Sequence, residues 1–358
     1  MFVEKPPLPI SSAIGLRGVL VIGDMHYTGA NSNDTDPIEQ DILRMIDGGI
    51  DTLILLGDVF HTHEKLSAEA QSRFTLFVKS VIERRCYMIC LVGNHDMASN
   101  KDWMPTTHSM TALGAVAHPL LHIVSRPQYF DIHGTRVLAT PYVPPGRFRE
   151  ALELEGPVNA SVIFAHQDFI GANYNGIVCR VGDVLGDDLP PVISGHIHDK
   201  QFLGRVFYTG TPYESGFSIR KRFIHHIEFH GDRIIVQPIA CSYRKVERIE
   251  LRNPEELSSL RVGSEKYVIE CMFSRSQCTT YLQQFRNNNA GKDRSIHLTF
   301  FEAGIPTVSK SGMVRKEFID ILNEKLAALP KVHTETNTAI MKGSDFSELV
   351  DIATMTLL

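Results

Sequence analysis

The sequence predicts an α/β protein with two layered sheets flanked by helices, a small C-terminal α+β module and a closing amphipathic helix. Three observations predict it. In the first hundred residues short apolar runs alternate with amphipathic stretches at helical spacing, which implies parallel strands joined by right-handed crossovers. Five apolar runs end in Asp, Asn or His, at the carboxyl side where open α/β sheets place their sites. Beyond residue 200 the pattern turns to short paired strands, so the second half is mostly β.

Taken in order, residues 19–22 form the first predicted strand and run into Gly23-Asp24-Met25-His26. Asp36 is expected to cap a helix with Pro37 at its first position, where proline is tolerated. Ile38, Ile42, Leu43 and Ile46 share one face, and Gly48-Gly49 stops the helix. The second strand, 52–56, leads to Gly57-Asp58-Val59-Phe60-His61. A helix near Ser67 carries Phe74, Phe77, Val78, Val81 and Ile82 as its buried stripe. The third strand, 86–92, holds Cys86 and Cys90 as core residues and ends in Gly93-Asn94-His95-Asp96-Met97. A short helix at 106–113, a hairpin turning at His133-Gly134 and a helix at 147–154 follow. Strands then end at His166 and at Gly195-His196-Ile197-His198, with further strands at 201–208 and 223–229, the last pairing with 233–237. His225-His226 lies mid-strand, so alternation predicts one buried and one exposed ring.

The domain reading is 1–240, then an α+β module at 241–308, then a tail at 309–358. Within the module, strands are predicted at 266–273 and 295–301, with a helix at 277–286 and a loop at 287–291. In the tail, 314–329 is amphipathic, with Phe318, Ile319, Ile321, Leu322 and Leu326 on its apolar side and Pro330 beyond it. The apolar-rich end, 346–358, is expected to dock on this chain or on a partner.

Composition is that of a soluble globular protein, with 43% hydrophobic and 22% charged residues. The net charge of −5 counts against binding nucleic acid by charge alone, though not against a metal-dependent nuclease. The six cysteines show no C-x-x-C spacing, and no run is long enough to span a bilayer. A reducing cytoplasmic setting without disulfides is expected.

The strand-end residues carry the chemistry. Asp24, His26, Asp58, Asn94, His95, His166, His196 and His198 are too many for one tetrahedral site. They suit two ions about 3.5–4 Å apart bridged by a carboxylate, as for in-line displacement at phosphorus. Oxygen and imidazole donors without thiolate favour Mn, Fe or Zn over Ca. Asp58 is the expected bridge, because it ends the central of the first three strands.

In this order the five motifs resemble the signature set of the calcineurin-like metallophosphoesterases, over about residues 19–230. The resemblance implies a two-sheet sandwich with a dinuclear centre, most simply of Mn2+. Asp24, His26, Asp58 and His198 would hold one ion; Asp58, Asn94, His166 and His196 would hold the other. His95 would be the catalytic imidazole, oriented by Asp96. Gly57 to His61 lacks the Arg of the protein phosphatases and resembles the SbcD-type nuclease subunit, its phage recombination-endonuclease counterparts and the eukaryotic double-strand-break-repair nuclease. His61 matches that family's second catalytic histidine. Tyr208 to Tyr213 with Gly216-Phe217-Ser218 is similar to the segment closing its phosphoesterase domain. By the same resemblance the α+β module would cap DNA, the helix after Gly312 would dock on an SbcC-type coiled-coil ABC ATPase, and a homodimer is allowed. If phage-encoded, the protein would work in the host cytoplasm. The alternative is a small-molecule phosphodiesterase or phosphatase of the same superfamily, acting on a cyclic nucleotide, dinucleotide or nucleotide-sugar. Arg220, Lys221, Arg222, Arg244 and Lys245 are weak candidates for DNA phosphate contacts. Trp103 is expected to pack its loop rather than stack a base, and His108, His118, His122 and His133 are read as surface or core.

Overall fold

The chain order is read from a computed structural model, which describes residues 1–63, 65–174, 176–214, 220–292 and 295–300. It opens with β1 (Phe2–Glu4), β2 (Leu8–Pro9) and α1 (Ile10–Ala13). The alternating half follows: β3 (Gly18–Ile22), α2 (Ser32–Gly48), β4 (Ile50–Leu55), α3 (Ala68–Glu83), β5 (Tyr87–Leu91), α4 (Thr111–Gly114) and β6 (Leu121–Val124). A hairpin, β7 (Gln128–Ile132) and β8 (Thr135–Ala139), turns at His133 and Gly134, both with positive φ. Then come α5 (Phe148–Leu152), β9 (Val162–Ala165), a small hairpin of β10 (Asn173–Tyr174) and β11 (Ile177–Val178), and β12 (Val192–Ser194). The expected single strand at 201–208 is two, β13 (Gln201–Leu203) and β14 (Val206–Tyr208), because Gly204 at φ 55° reverses the chain. β15 (Ile224–His230) pairs with β16 (Arg233–Ala240). The C-terminal module is β17 (Val246–Leu251), α6 (Pro254–Ser259), β18 (Lys266–Cys271), α7 (Thr279–Asn288) and β19 (Ile296–Phe300), its three strands in one sheet.

Two sheets form the sandwich. The eight-stranded sheet runs β1-β16-β15-β3-β4-β5-β6, with β2 beside β16; the six-stranded sheet runs β13-β14-β12-β9-β8-β7. Strands β3 to β6 are parallel, as the crossovers require. Alternation along each strand feeds two cores. Val19, Val21, Ile54, Leu56, Ile89 and Leu91 face the other sheet, meeting Val162, Phe164, Ile193 and Phe207. Leu20, Ile22, Leu53, Leu55, Met88 and Cys90 face the helices, meeting Ile38 and Ile42 of α2 and Phe74 and Val81 of α3. A third core lies on the far side of the second sheet, where Ile163, Val192 and Tyr208 meet Phe148 of α5. Each such buried aliphatic or aromatic side chain contributes ~1.5–3 kcal/mol.

Three further local expectations change. Helix α2 begins at Ser32, not after Asp36, because Asp34 in its first turn is anchored by Arg244 and Lys266 from the module. Asp36 pairs with Arg73 instead, and Pro37 lies inside the helix, where it removes one ladder bond. The expected helix at 106–113 shrinks to α4. The rings of His225 and His226 are both buried, because both faces of the first sheet are covered. His226 donates to Arg17 O at 2.7 Å, while His225 points between the sheets against Phe207, its two nitrogens without hydrogen-bond partners among the described residues. The tail at 309–358, with its helix at 314–329 and its apolar end, lies outside the described residues, as do Gly216, Phe217 and Ser218.

Burial, reinforced by Lys200, pushes the His225 imidazole down to about 3. The unfolded chain takes up a proton below pH 6.5 that the folded state refuses, so stability is lost as pH falls from 6.5 toward 3, by at most ~1.4 kcal/mol per unit. His225→Phe is expected to flatten that slope and to raise the urea midpoint at pH 5 more than at pH 8. An unchanged difference between the two midpoints would remove His225 as the source.

Candidate metal centre

The site forms where the parallel strands end. β3 and β4 stay side by side past their last ladder bonds: His26 N donates to Asp58 O at 2.9 Å and Tyr27 N to Val59 O at 2.7 Å. Asp24, His26, Asp58 and His196 hold positive φ of 42°, 44°, 48° and 77°. A non-glycine residue in that region costs about 1–3 kcal/mol, and such strain gathers at functional sites. Two glycines make room. A Cβ on Gly57, whose φ is 98°, would sit 2.6 Å from His166 Nδ1. One on Gly93 would sit 2.3 Å from Asp58 Oδ1.

Besides a group of His26, His61 and His95, the donors fall into two sets. Asp24, His26 and His198 gather on one side, with His26 Nε2 and His198 Nε2 facing each other at 3.0 Å. Asp58, His166 and His196 gather on the other, where Asn94 Oδ1 lies 3.0 Å from His166 Nε2 and 2.8 Å from His196 Nδ1. Asp58 reaches both: Oδ1 is 3.2 Å from His166 Nε2 and Oδ2 is 3.7 Å from His26 Nε2.

Tautomers are set from outside. His166 Nδ1 lies 2.6 Å from the Leu56 carbonyl, which can only accept, so Nδ1 carries a hydrogen and Nε2 is the nitrogen turned inward, toward Asp58. His196 Nε2 lies 2.9 Å from the Asp168 carboxylate, which leaves Nδ1 inward in the same way. Carboxylate–imidazole pairs of this kind orient metal ligands. Asp168 was not among the expected site residues; its signal is its spacing, two residues past His166.

The electrostatics follow from burial. Burial opposes charge on Asp58, but His166, His95 and His26 outweigh it and hold the carboxyl well below its usual range. Burial pushes Asp24 up to about 6 against the pull of His166. Burial pushes His198 down to about 3 and His26 well below its ordinary value. Two buried imidazoles that resist protonation, with nitrogens 3.0 Å apart, present two lone pairs to one point; a divalent cation satisfies both. The residues therefore fit two ions of the Mn, Fe or Zn type.

The residues around the cleft divide differently from expectation. His95 Nδ1 donates to the His61 carbonyl at 2.7 Å. Asp96 does not orient that ring: its carboxylate accepts from the backbone N–H groups of Val59, Phe60 and Gly93 at 3.2, 3.0 and 2.9 Å. Asp96 thus staples the two loops and leaves the orienting role to a carbonyl. The His61 ring stacks on His95, centroids 5.7 Å apart, and its Nδ1 is 3.5 Å from His26 Nδ1. His63, two residues on, stacks on His95 at 4.6 Å and was also missed.

Two of the five basic candidates are engaged inside the protein. Arg222 is buried and pairs with Glu214 at 2.7 Å, and Arg244 grips Asp34 through two nitrogens at 2.9 and 2.8 Å. Neither is available to phosphate. Arg220 pairs with Asp199, and Lys221 and Lys245 are exposed. Trp103 lies under the Arg147 guanidinium, 3.6 Å from the ring centroid.

The family model described as Calcineurin-like phosphoesterase matches residues 18–200, the span that holds every donor above. The chain belongs to the calcineurin-like phosphoesterases. Two viral proteins are similar to it. One, provisionally named phosphoesterase 244L, from Invertebrate iridescent virus 6, is 34% identical over 203 residues, 56% of this chain and 71% of that protein. The other, provisionally named phosphoesterase 078R, from Invertebrate iridescent virus 3, is 31% identical over 243 residues, 64% of this chain and 69% of that protein. As a calcineurin-like phosphoesterase the protein is a hydrolase of a family that uses divalent metals. Among the described residues no helix is long and apolar enough to cross a membrane.

Asp168→Asn tests the outer brace. It is expected to weaken the ion of the His196 set by roughly 10–100-fold, read by calorimetric titration of metal-stripped protein, with little change in the metal-free melting temperature. Wild-type affinity for both ions would show that Asp168 is dispensable to the centre.

Proposed function

We propose that this phosphoesterase is a dinuclear-metal-dependent DNA nuclease of the SbcD type, using Mn2+ and acting in DNA-end processing, repair or recombination. The observation that supports it most is His61. It follows the Gly57-Asp58 turn in a stretch that lacks the Arg of the protein phosphatases, and its ring stacks on His95 and reaches His26. A second imidazole there suits a phosphodiester, whose flanking nucleoside oxygen must be positioned as well as protonated.

In this reading Asp24, His26, Asp58 and His198 hold one ion, and Asp58, Asn94, His166 and His196 hold the other. Bound divalent ions would polarise the phosphoryl oxygens and lower the pKa of water. The protein does the rest. The His61 carbonyl fixes hydrogen on Nδ1 of His95, so Nε2 is the nitrogen that delivers a proton to the leaving oxygen. Asp58 stays ionised because His166, His95 and His26 surround it. Asp96 holds the loops that carry Asp58 and His95 at fixed separation.

The module at 241–308 is proposed to cap DNA, the tail at 309–358 to dock on an SbcC-type ATPase, and the chain to work in the cytoplasm, with homodimerisation allowed. A second reading, a small-molecule phosphodiesterase, is favoured by one observation: Arg222 and Arg244 face internal carboxylates rather than a duplex.

Metal-stripped protein reloaded with Mn separates the two. Cleavage of linear duplex or single-stranded DNA is expected, and His95→Ala is expected to lower it by roughly 10²–10⁴-fold while keeping both ions. Hydrolysis of cyclic nucleotides or dinucleotides with DNA untouched, even after the ATPase is added, would favour the second reading. Loss of metal in His95→Ala would contradict its role as proton donor.

A further inference from the structure

Arg222 sits just ahead of β15 and is 7% exposed. Its guanidinium donates to the backbone carbonyl of His198 and lies 3.3 Å from Asp199. It also donates to Glu214 through Nε at 3.2 Å and Nη2 at 2.7 Å. The same His198 carbonyl accepts from Thr211 N at 3.1 Å. Glu214 is held in turn from the C-terminal module: its backbone carbonyl accepts from Nζ of Lys266, the first residue of β18. Lys266 is 4% exposed and lies 3.3 Å from Asp34, the carboxylate that Arg244 grips. A line of buried, charge-assisted contacts thus runs from the module sheet to the backbone of a metal donor. A guanidinium suits the junction, because its planar fork holds a carbonyl and a carboxylate together.

Stability alone does not explain this line. Apolar side chains of similar volume commonly do as well as a buried ion pair. The contacts also end at one donor set only. His166 and His196 are braced within the sandwich, by Leu56 O and Asp168. His198 is braced at its carbonyl, and the brace leads outward to residue 266.

We infer that Lys266, Glu214 and Arg222 are positioning residues through which the C-terminal module fixes His198 and so governs one of the two ions, that of Asp24, His26 and His198. The inference rests on the metal assignment above. The module then acts on the centre through the protein interior as well as through any contact with substrate. Lys266 lies in a different sheet from every donor, so its effect on metal binding has no local route.

The test is calorimetric titration of metal-stripped full-length protein with Mn, repeated with Co to follow each ion by its absorption spectrum. Wild type is expected to bind two ions. Lys266→Met and Glu214→Gln are each expected to weaken one ion by about tenfold or more and leave the other unchanged, as for loss of an outer brace. Lys266→Arg should restore much of the loss, and Asp168→Asn should weaken the opposite ion. If Lys266→Met does not fold, the near-isosteric Glu214→Gln decides. Wild type that binds no ion overturns the metal assignment and this inference with it. Two ions in wild type, retained at full affinity in the folded variants, overturn the inference alone; so does a loss shared equally by both ions.

Discussion

A carboxylate with almost no exposure to water dominates this structure. Burying the ionised form of Asp58 without compensation would cost several kcal/mol, so its surroundings are dictated. His166 lies 3.2 Å from one oxygen, His26 lies 3.7 Å from the other, and the His95 N–H donates at 2.9 Å. The bareness of Gly93 follows, since any side chain there would occupy the space of Asp58. The staple made by Asp96 follows too, because the loops carrying Asp58 and His95 must not drift. Even the strand order serves it: β4 is flanked by β3 and β5, so donors from both neighbours converge on the central strand end.

Around this carboxylate the imidazoles divide: against burial, Asp58 draws His166 up to about 9 and Asp168 raises His196 above its ordinary value. Burial drives His26 and His198 away from protonation, and a carbonyl and a carboxylate fix the other two rings. The positive φ at Asp24, His26, Asp58 and His196 is the conformational strain of turning side chains inward from strand ends. The three cores behind them hold the strands rigidly enough to sustain it. Membership of the calcineurin-like phosphoesterases accounts for this arrangement as a hydrolytic metal centre.

Much of this was legible in the sequence. The apolar runs ending in Gly-Asp, Gly-Asn-His-Asp and Gly-His-Ile-His mark both strands and donors, because few other pressures place such residues together after a buried strand. What was not legible depends on contacts distant in the chain. The start of α2 is set by Asp34 meeting Arg244, 210 residues away. The burial of both His225 and His226 is set by layers on both faces of their sheet. Arg222 and Arg244 look like exposed phosphate contacts until Glu214 and Asp34 are found beside them. Asp168 and His63 follow the expected site residues His166 and His61 at a spacing of two, a pattern readable in principle but common elsewhere by chance.

The central claim is that Asp58 belongs to two donor sets at once. Diffraction from crystals soaked in Mn, with anomalous differences collected at the Mn edge, tests it directly. The account predicts two peaks about 3.5–4 Å apart with an Asp58 oxygen at each. A single peak, or two peaks of which only one touches Asp58, would contradict it.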